Sequence, residues 1–330
     1  MASLAPSLRR RTVRTWCGAV ALGLALAGCG TASERSSSPA PAGSSSHGGG
    51  TAAAAGTREH VRVDGGTREY LLHRPGTNGG GPRPLVIAFH GRGSSAEKMR
   101  EQSRLDKAAK ARGMLIAYPE GLRNAWGAGT AATEQRPDPD ADVRFAKALI
   151  DELVRTEQAD RRQVYVVGFS NGGAMALRVA AQRPDLVAGV ASVSGQLPTG
   201  RAAVKPTGAV PAMVVYGAED RVRPLAGMPD PGPAPAGQEP ITPTMSARAT
   251  AEAFAAAGRA GAPAKQAKAG YDRTVWNLGS SGATVQLLVM HDAGHTWPGS
   301  PITPPKGFGR TSTALDATGT ILDFFAARHR

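Results

Sequence analysis

The chain has 330 residues, with 39 lysines and arginines against 26 aspartates and glutamates, giving a formal net charge of +13 at pH 7. It has two cysteines and no cysteine–histidine cluster, so the sequence predicts no metal and no cofactor. The basic residues are scattered and lack the stripe with interleaved aromatic residues that is typical of nucleic-acid binding. The charge therefore indicates a solvated basic surface, and we expect no nucleic-acid partner.

The first 28 residues are predicted to be an export signal and are excluded from the fold. A basic segment, Arg9 to Arg14, precedes the apolar stretch Cys17 to Ala27, which is shorter than a typical membrane-spanning helix. The stretch ends in Leu26-Ala27-Gly28-Cys29, which resembles the bacterial lipobox, where the signal is cut before a cysteine that then carries lipid. We therefore expect lipid on Cys29 and an extracytoplasmic bacterial protein, either lipid-anchored to the cell membrane or secreted. The adjacent arginines leave the twin-arginine export route open.

Residues 29–57 are predicted to be a flexible tether, because this segment is rich in Ser, Gly, Ala, Thr and Pro. Residues 58–330 are predicted to form one catalytic domain, since their length suits a single α/β sheet.

Apolar runs alternate with helix-like segments through this domain. The strand candidates are residues 61–64, 68–73, 85–89, 114–118, 164–167, 189–193, 212–216 and 285–290. The helix candidates are residues 95–111, 141–156, 174–182, 246–257 and 313–327. Continuous apolar runs between helices predict an α/β fold, with a mostly parallel sheet covered on both faces. The first two strand candidates are joined by Gly65-Gly66 and are predicted to form a hairpin at the sheet edge.

A Gly-x-Ser-x-Gly pattern at residues 168–172 lies between the strand candidate 164–167 and the helix candidate 174–182. In that context it predicts a nucleophile elbow, a tight turn that projects the Ser170 hydroxyl from the end of the sheet. The alternative is an ordinary glycine-rich turn. A serine hydroxyl is a weak nucleophile, so it needs a base, and the base needs an acid to orient it.

The candidate base is His295, which lies in a loop punctuated by Gly and Pro directly after the last strand candidate. In a nucleophile-elbow fold the histidine follows the acid in the chain, and His295 satisfies that order. His291 is the alternative base, and His329 lies too near the chain end to be favoured.

The candidate acid is Asp220, which follows the strand candidate 212–216 and is expected to accept the ring N–H of the histidine. Glu219 is adjacent to it, and Asp292 lies near His295, so both stay open as alternative acids.

The candidate oxyanion hole begins after the strand candidate 85–89, in the turn His90-Gly91-Arg92-Gly93-Ser94. We expect the backbone N–H of Arg92 to be one donor to the developing oxyanion and the N–H of Asn171 to be the second. His90 is expected to pack structurally.

Several segments together resemble the polyhydroxybutyrate depolymerase-like and feruloyl esterase-like serine esterases. These segments are residues 168–173, 216–220, 294–299, 118–121 with Trp126, 142–143 and 321–325. The resemblance implies an α/β-hydrolase fold and cleavage of esters, with Ser170, Asp220 and His295 as the matching triad. After Trp126 this chain lacks the asparagine and the cysteines of many relatives, which leaves the substrate open.

Two tryptophans and one long loop bear on the substrate. Trp126 and Trp297 are expected near the catalytic edge, either stacking on substrate or packing a loop. Residues 223–243 are crowded with Pro and Gly and predict a long loop over the active edge, either a lid or an insertion.

The sequence thus predicts an extracytoplasmic serine esterase that acts through an acyl-enzyme on hydroxyalkanoate-type, feruloyl or acetyl esters, whether small molecules or polymer ends. The alternatives are a serine peptidase with the same triad, and a catalytically silent binding lipoprotein.

Overall fold

A ten-stranded sheet runs through the part of the chain that the computed structural model describes, which is residues 56–76, 81–232, 240–279 and 282–327. The predicted export signal, the predicted lipidation site Cys29 and the predicted tether up to residue 55 lie outside the described residues. Within the described residues, the first strand begins at Thr57.

The strand order explains how the chain builds a mostly parallel sheet. From edge to edge the order is β1-β2-β4-β3-β5-β6-β7-β10-β9-β8. The strands are β1 (Thr57–Val63), β2 (Gly66–His73), β3 (Arg83–Phe89), β4 (Leu115–Pro119), β5 (Ala159–Phe169), β6 (Gly189–Val193), β7 (Ala212–Gly217), β8 (Ala264–Lys268), β9 (Tyr271–Leu278) and β10 (Ala283–Met290). The six strands from β4 to β10 along this order pair in parallel, and antiparallel strands lie at both edges.

Helices cover both faces of the sheet, as continuous apolar strands require. They are α1 (Ala96–Ser103), α2 (Leu105–Lys110), α3 (Ala141–Thr156), α4 (Asn171–Gln182), α5 (Ala247–Ala257) and α6 (Ala317–Ala326). Helices α3, α4 and α5 bury Leu149, Met175 and Phe254 in the core on one face. Helices α1, α2 and α6 pack on the other face, where Leu105 and Phe325 are fully buried.

The structure differs from the sequence prediction in two helices and two strands. The helix candidate 95–111 is two helices, because Arg104 between them has a left-handed backbone with φ of 51°. The last helix begins at Ala317 rather than at residue 313. Strands β8 and β9 were not predicted. Every residue of β8 is exposed and the strand is polar, so it lacks the apolar run on which strand prediction depends.

One fully buried arginine holds the long loop before α3. From helix α4, Nη1 of Arg178 donates hydrogen bonds to the carbonyl oxygens of Gly127 (2.7 Å), Gly129 (2.6 Å) and Pro139 (2.6 Å). Its Nη2 pairs with Asp140. Burial lowers the pKa of Arg178, and the charge of Asp140 opposes that effect. The guanidinium therefore supplies the donors for carbonyls of a loop that has little regular structure.

We predict that replacing Arg178 destabilises the fold far more than replacing the half-buried Arg183, which directly follows the same helix. Arg178→Met leaves three carbonyls without their donor and should lower the free energy of unfolding by about 3–5 kcal/mol. Arg183→Met removes a surface ion pair with Asp185 and should change the free energy of unfolding by about 1 kcal/mol or less. Urea unfolding of both variants measures the difference. Equal losses would contradict the assigned role of Arg178.

Candidate active site

Ser170 lies on a strained turn between β5 and α4. Its backbone has φ of 56° and ψ of −119°, a conformation that costs a non-glycine residue on the order of 1–3 kcal/mol. The turn is held by the backbone N–H of Ser170, which donates to the carbonyl oxygen of Val193 in β6 at 2.8 Å. A strained backbone at a serine between a strand and a helix is the geometry of a nucleophile elbow.

The glycines of the motif are required by space. A Cβ at Gly168 would lie 2.2 Å from the carbonyl oxygen of Gly172, and a Cβ at Gly172 would lie 2.2 Å from the carbonyl oxygen of Phe89. A Cβ at Gly173 would lie 2.6 Å from Oγ of Ser192. Since real Cβ atoms do not approach other atoms this closely, strand, turn and helix meet here only because these residues have no side chain.

The structure brings Ser170, His295 and Asp220 into one chain of hydrogen bonds. Nε2 of His295 lies 2.8 Å from Oγ of Ser170, and Nδ1 lies 2.7 Å from Oδ2 of Asp220. An ionised carboxylate only accepts, so Nδ1 carries the proton and Nε2 is left to accept from the serine hydroxyl. Oδ1 of Asp220 accepts the backbone N–H groups of Val222 (3.0 Å) and Arg223 (2.8 Å), which fixes the buried carboxylate.

The loop after β10 fixes the imidazole. The backbone N–H of His295 donates to the carbonyl oxygen of Phe308 at 2.6 Å, and the ring lies between Phe169 and Phe308 with centroids 5.0 and 5.2 Å away. Gly294 is required beside it, because a Cβ there would lie 2.1 Å from the Phe308 carbonyl oxygen. A Cβ at Gly217 would meet the Ala293 carbonyl oxygen at 2.3 Å.

The alternative residues lie outside this chain of contacts. The His291 side chain is 51% exposed, and its Nε2 faces Asp272 at 3.3 Å. Glu219 is exposed. Oδ1 of Asp292 is buried without a hydrogen-bond partner among the described residues, and both ring nitrogens of His295 contact other residues.

The predicted oxyanion turn packs directly against Ser170. A Cβ at Gly91 would lie 3.6 Å from Cβ of Ser170. The backbone N–H of Gly93 donates to Asn124 and that of Ser94 to Gly91, so neither is directed at the serine. Arg92 and Asn171 line the same cavity as Ser170, and the N–H of Asn171 opens helix α4, where no intrahelical acceptor exists. Their role as donors stays a prediction.

His90 packs structurally, as expected, and it shapes this turn. The ring is fully buried; Nε2 accepts the backbone N–H of Gly121 at 3.0 Å, so Nδ1 carries the proton and donates to the Gly91 carbonyl oxygen at 2.8 Å. Burial lowers the pKa of His90, which favours this neutral form. The imidazole therefore ties the turn to the loop after β4.

The two tryptophans predicted near the catalytic edge are both packed among core residues, and Trp297 also lines the cavity that contains Ser170, so substrate contact stays a prediction. Trp126 is 1% exposed; its ring stacks on Phe145, and its Nε1 donates to the His90 carbonyl oxygen at 2.9 Å. Trp297 is also 1% exposed, and its Nε1 donates to Oγ1 of Thr318 at 2.9 Å. Each indole buries a large apolar face and satisfies its one polar group internally.

Sequence reasoning missed how side chains hold the loop after Trp126. The Asn171 side chain accepts the Trp126 backbone N–H at 2.7 Å and donates to its carbonyl oxygen at 3.1 Å. The buried Asp142 accepts the Gly127 backbone N–H at 2.7 Å and pairs with Arg136 at 3.2 Å. The sequence offers only two signals for these contacts. Asn171 directly follows Ser170, and Asp142 lies at the start of an apolar helix.

Ser170 and His295 open into a cavity of about 710 Å³. Its walls are largely apolar and include Val222, Ile302 and Phe308.

In the part of the chain that the structure describes, no group of three or more His, Cys, Asp or Glu side chains is placed to hold a metal ion. Over the same residues, no helix is long and apolar enough to cross a membrane.

Comparisons with known proteins identify the class. Residues 78–229 match the phospholipase/carboxylesterase family of α/β hydrolases. The protein named "Putative esterase NocK" from Nocardia uniformis subsp. tsuyamanensis is 43% identical over 289 residues, which is 83% of each chain. Feruloyl esterase B of Piromyces equi is 31% identical over 129 residues, 38% of this chain and 23% of that protein.

Among solved structures, the acetyl xylan esterase from Aspergillus awamori has a TM-score of 0.52 at 14% identity, covering 82% of this chain and 99% of that one. At this identity the likeness shows the fold alone, and the predicted α/β-hydrolase fold is confirmed. With the match to NocK, the chain belongs to the phospholipase/carboxylesterase family and is a carboxylic ester hydrolase.

Proposed function

We propose that the protein is an extracytoplasmic serine esterase with Ser170, His295 and Asp220 as its catalytic triad. The observation that carries the proposal is the continuous chain of hydrogen bonds from Asp220 through the His295 ring to the Ser170 hydroxyl. The strained elbow supports it further, because backbone strain of this kind clusters at active sites.

In this mechanism Oγ of Ser170 attacks the ester carbonyl carbon while Nε2 of His295 takes the hydroxyl proton. Asp220 holds the imidazole in the correct tautomer and stabilises the imidazolium that forms. The backbone N–H groups of Arg92 and Asn171 stabilise the tetrahedral oxyanion. The imidazolium then protonates the leaving alcohol, and an acyl-enzyme remains. Water, deprotonated by His295, attacks the acyl-enzyme and releases the acid and the serine.

The substrates that we propose are hydroxyalkanoate-type, feruloyl or acetyl esters, as small molecules or polymer ends, in the manner of a polyhydroxybutyrate depolymerase-like esterase. The cavity of about 710 Å³ with apolar walls is large enough for an acyl chain or an aromatic ring. The relatives include a feruloyl esterase, and one solved structure that shares the fold is an acetyl xylan esterase. The family assignment favours esters over the peptides of the alternative serine peptidase, and a complete set of three residues argues against a silent binding protein.

We predict that Ser170→Ala abolishes ester hydrolysis and leaves the fold intact, because alanine fits wherever serine does. Loss of the nucleophile should lower kcat by a factor on the order of 10⁴ or more. Hydrolysis of 4-nitrophenyl butyrate measures the loss, and thermal unfolding checks the fold. A fluorophosphonate probe should label Ser170 in the wild type and fail on the variant. Substantial residual turnover in a cleanly purified variant would rule out Ser170 as the nucleophile.

We predict that Asp220→Asn lowers kcat by roughly 10²–10⁴, because asparagine keeps the size of the side chain but loses the charge that sets the tautomer of His295. Asp292→Asn is the matched control and should cost less than about tenfold in kcat, because Asp292 makes no bond to the ring. The measurement is kcat and kcat/KM of both variants on one activated ester near neutral pH. If Asp292→Asn were the more damaging change, the triad would have to be redrawn around the loop after β10.

We also propose that lipid on Cys29 anchors the mature chain to a membrane, on the strength of the Leu26-Ala27-Gly28-Cys29 pattern. In a bacterial host, the wild-type chain should fractionate with membranes and begin at a lipid-modified Cys29 by intact mass. Cys29→Ser should lose the lipid, whereas Cys17→Ser, within the predicted signal, should retain it. A mature chain with an unmodified Cys29 would contradict the anchor and leave the esterase proposal untouched.

A further inference from the structure

Arg223 lies beside the catalytic acid and lines the cavity of the nucleophile. Its backbone is fixed at both ends, because its N–H donates to Oδ1 of Asp220 at 2.8 Å and its carbonyl oxygen accepts the Tyr216 hydroxyl at 3.1 Å. Arg223 lines both the 710 Å³ cavity that contains Ser170 and His295 and a neighbouring cavity of about 470 Å³. The residue therefore lies where the two cavities meet.

One nitrogen of the Arg223 side chain has no hydrogen-bond partner among the described residues. Nη1 of Arg223 is buried and makes no hydrogen bond to any residue that the structure describes. Most buried polar groups in folded proteins are hydrogen-bonded, so an unpaired guanidinium nitrogen requires an explanation. This nitrogen contrasts with the buried Nη1 of Arg178, which contacts three carbonyl oxygens. An acceptor supplied by a ligand would satisfy the unpaired nitrogen.

The charges around the cavity have one sign. Its charged lining residues are Arg92, Lys98 and Arg223, and no aspartate or glutamate is among the described residues that line it. Burial lowers the pKa of Arg223 and the nearby charge of Arg92 also lowers it, whereas Tyr216 and the charge of Asp220 act in the opposite direction. Two guanidinium groups held close together repel each other, and an anion between or beside them removes that repulsion.

We propose that the preferred substrates of this esterase carry a carboxylate, and that Arg223, together with Arg92, binds it while Ser170 attacks the ester. The proposal rests on the proposed function and deepens it by naming a substrate class. A planar guanidinium matches the two oxygens of a carboxylate in a fork, which an ammonium group or a neutral amide cannot reproduce. Because Arg223 borders both cavities, the carboxylate can belong to either the acyl or the alcohol portion of the ester.

Two matched pairs of substrates test this with the full-length chain. For the alcohol side, 4-acetoxybenzoate is compared with its neutral methyl ester. For the acyl side, mono-4-nitrophenyl adipate is compared with 4-nitrophenyl hexanoate. The quantity measured is the preference, the ratio of kcat/KM for the anionic ester to kcat/KM for the neutral one. Comparing the preference between variants cancels the different intrinsic reactivities of the esters.

In at least one pair, Arg223→Met should lower the preference by about 10- to 100-fold, the value of a charge-assisted hydrogen bond, mainly by raising KM for the anionic ester. Arg223→Lys keeps the charge but loses the fork, so its preference should fall by a smaller factor. Arg221→Met removes the same charge from an exposed neighbour that lines neither cavity, and it should leave the preference within about twofold. In the wild type, added salt should weaken the preference.

The outcomes separate this inference from the proposed function. If Arg223→Met lowers kcat/KM for the neutral and anionic esters equally, Arg223 is a structural residue and the inference is wrong. An unchanged preference in both pairs also overturns it, while leaving the esterase function intact. If the wild type hydrolyses none of the four esters, the proposed function itself fails, and the inference fails with it. Should Arg223→Met not fold, Arg223→Lys and the salt dependence of the wild type decide the question in the same terms.

Discussion

The close approach of three backbone segments around Ser170 is the constraint on which the rest of the site depends. Gly172 lies so near the carbonyl oxygens of Phe89 and His90 that a Cβ would come within 2.2 and 2.4 Å of them. The end of β3, the end of β5 and the start of α4 are therefore locked together. This contact holds Ser170 in its strained conformation and sets the first N–H of α4 beside the turn after β3. Packing elsewhere in the sheet offsets the strain.

A second constraint follows from the loops that surround the elbow. The chain between β4 and α3 has little regular structure, so its backbone groups need donors and acceptors from side chains. Buried polar residues supply them, with Arg178 for three carbonyl oxygens, Asp142 for one N–H, and Asn171 for the backbone N–H and carbonyl oxygen of Trp126. These residues lie on or beside the helices α3 and α4. Side chains of α3 and α4 thus fix the loop between β4 and α3, which lines the 470 Å³ cavity.

The parts of this structure that the sequence predicts are those with a simple physical signature. Parallel strands place their carboxyl ends at one edge, so three loops carrying Ser170, Asp220 and His295 were expected to converge there. Strand β8 has no apolar run and was missed. The burial of Trp126 and the multiple contacts of Arg178 depend on which segments meet in space. Composition and periodicity carry no information on that point, since arginine is usually exposed and tryptophan serves cores and binding sites alike.

In the proposed mechanism, the loop from Asp220 to Arg223 would join catalysis to recognition. Asp220 would carry the negative charge that the imidazolium needs, and the backbone N–H groups of Val222 and Arg223 bind its carboxylate without neutralising it. Arg223 also lines the 710 Å³ cavity, whose other charged lining residues are Arg92 and Lys98. In the proposed reaction, negative charge that develops on an ester oxygen would form near these cationic residues, which would favour the transition state over the neutral ester. A substrate carboxylate held by the same guanidinium would be positioned by a loop whose backbone already fixes the triad. Binding and chemistry would then share one rigid support.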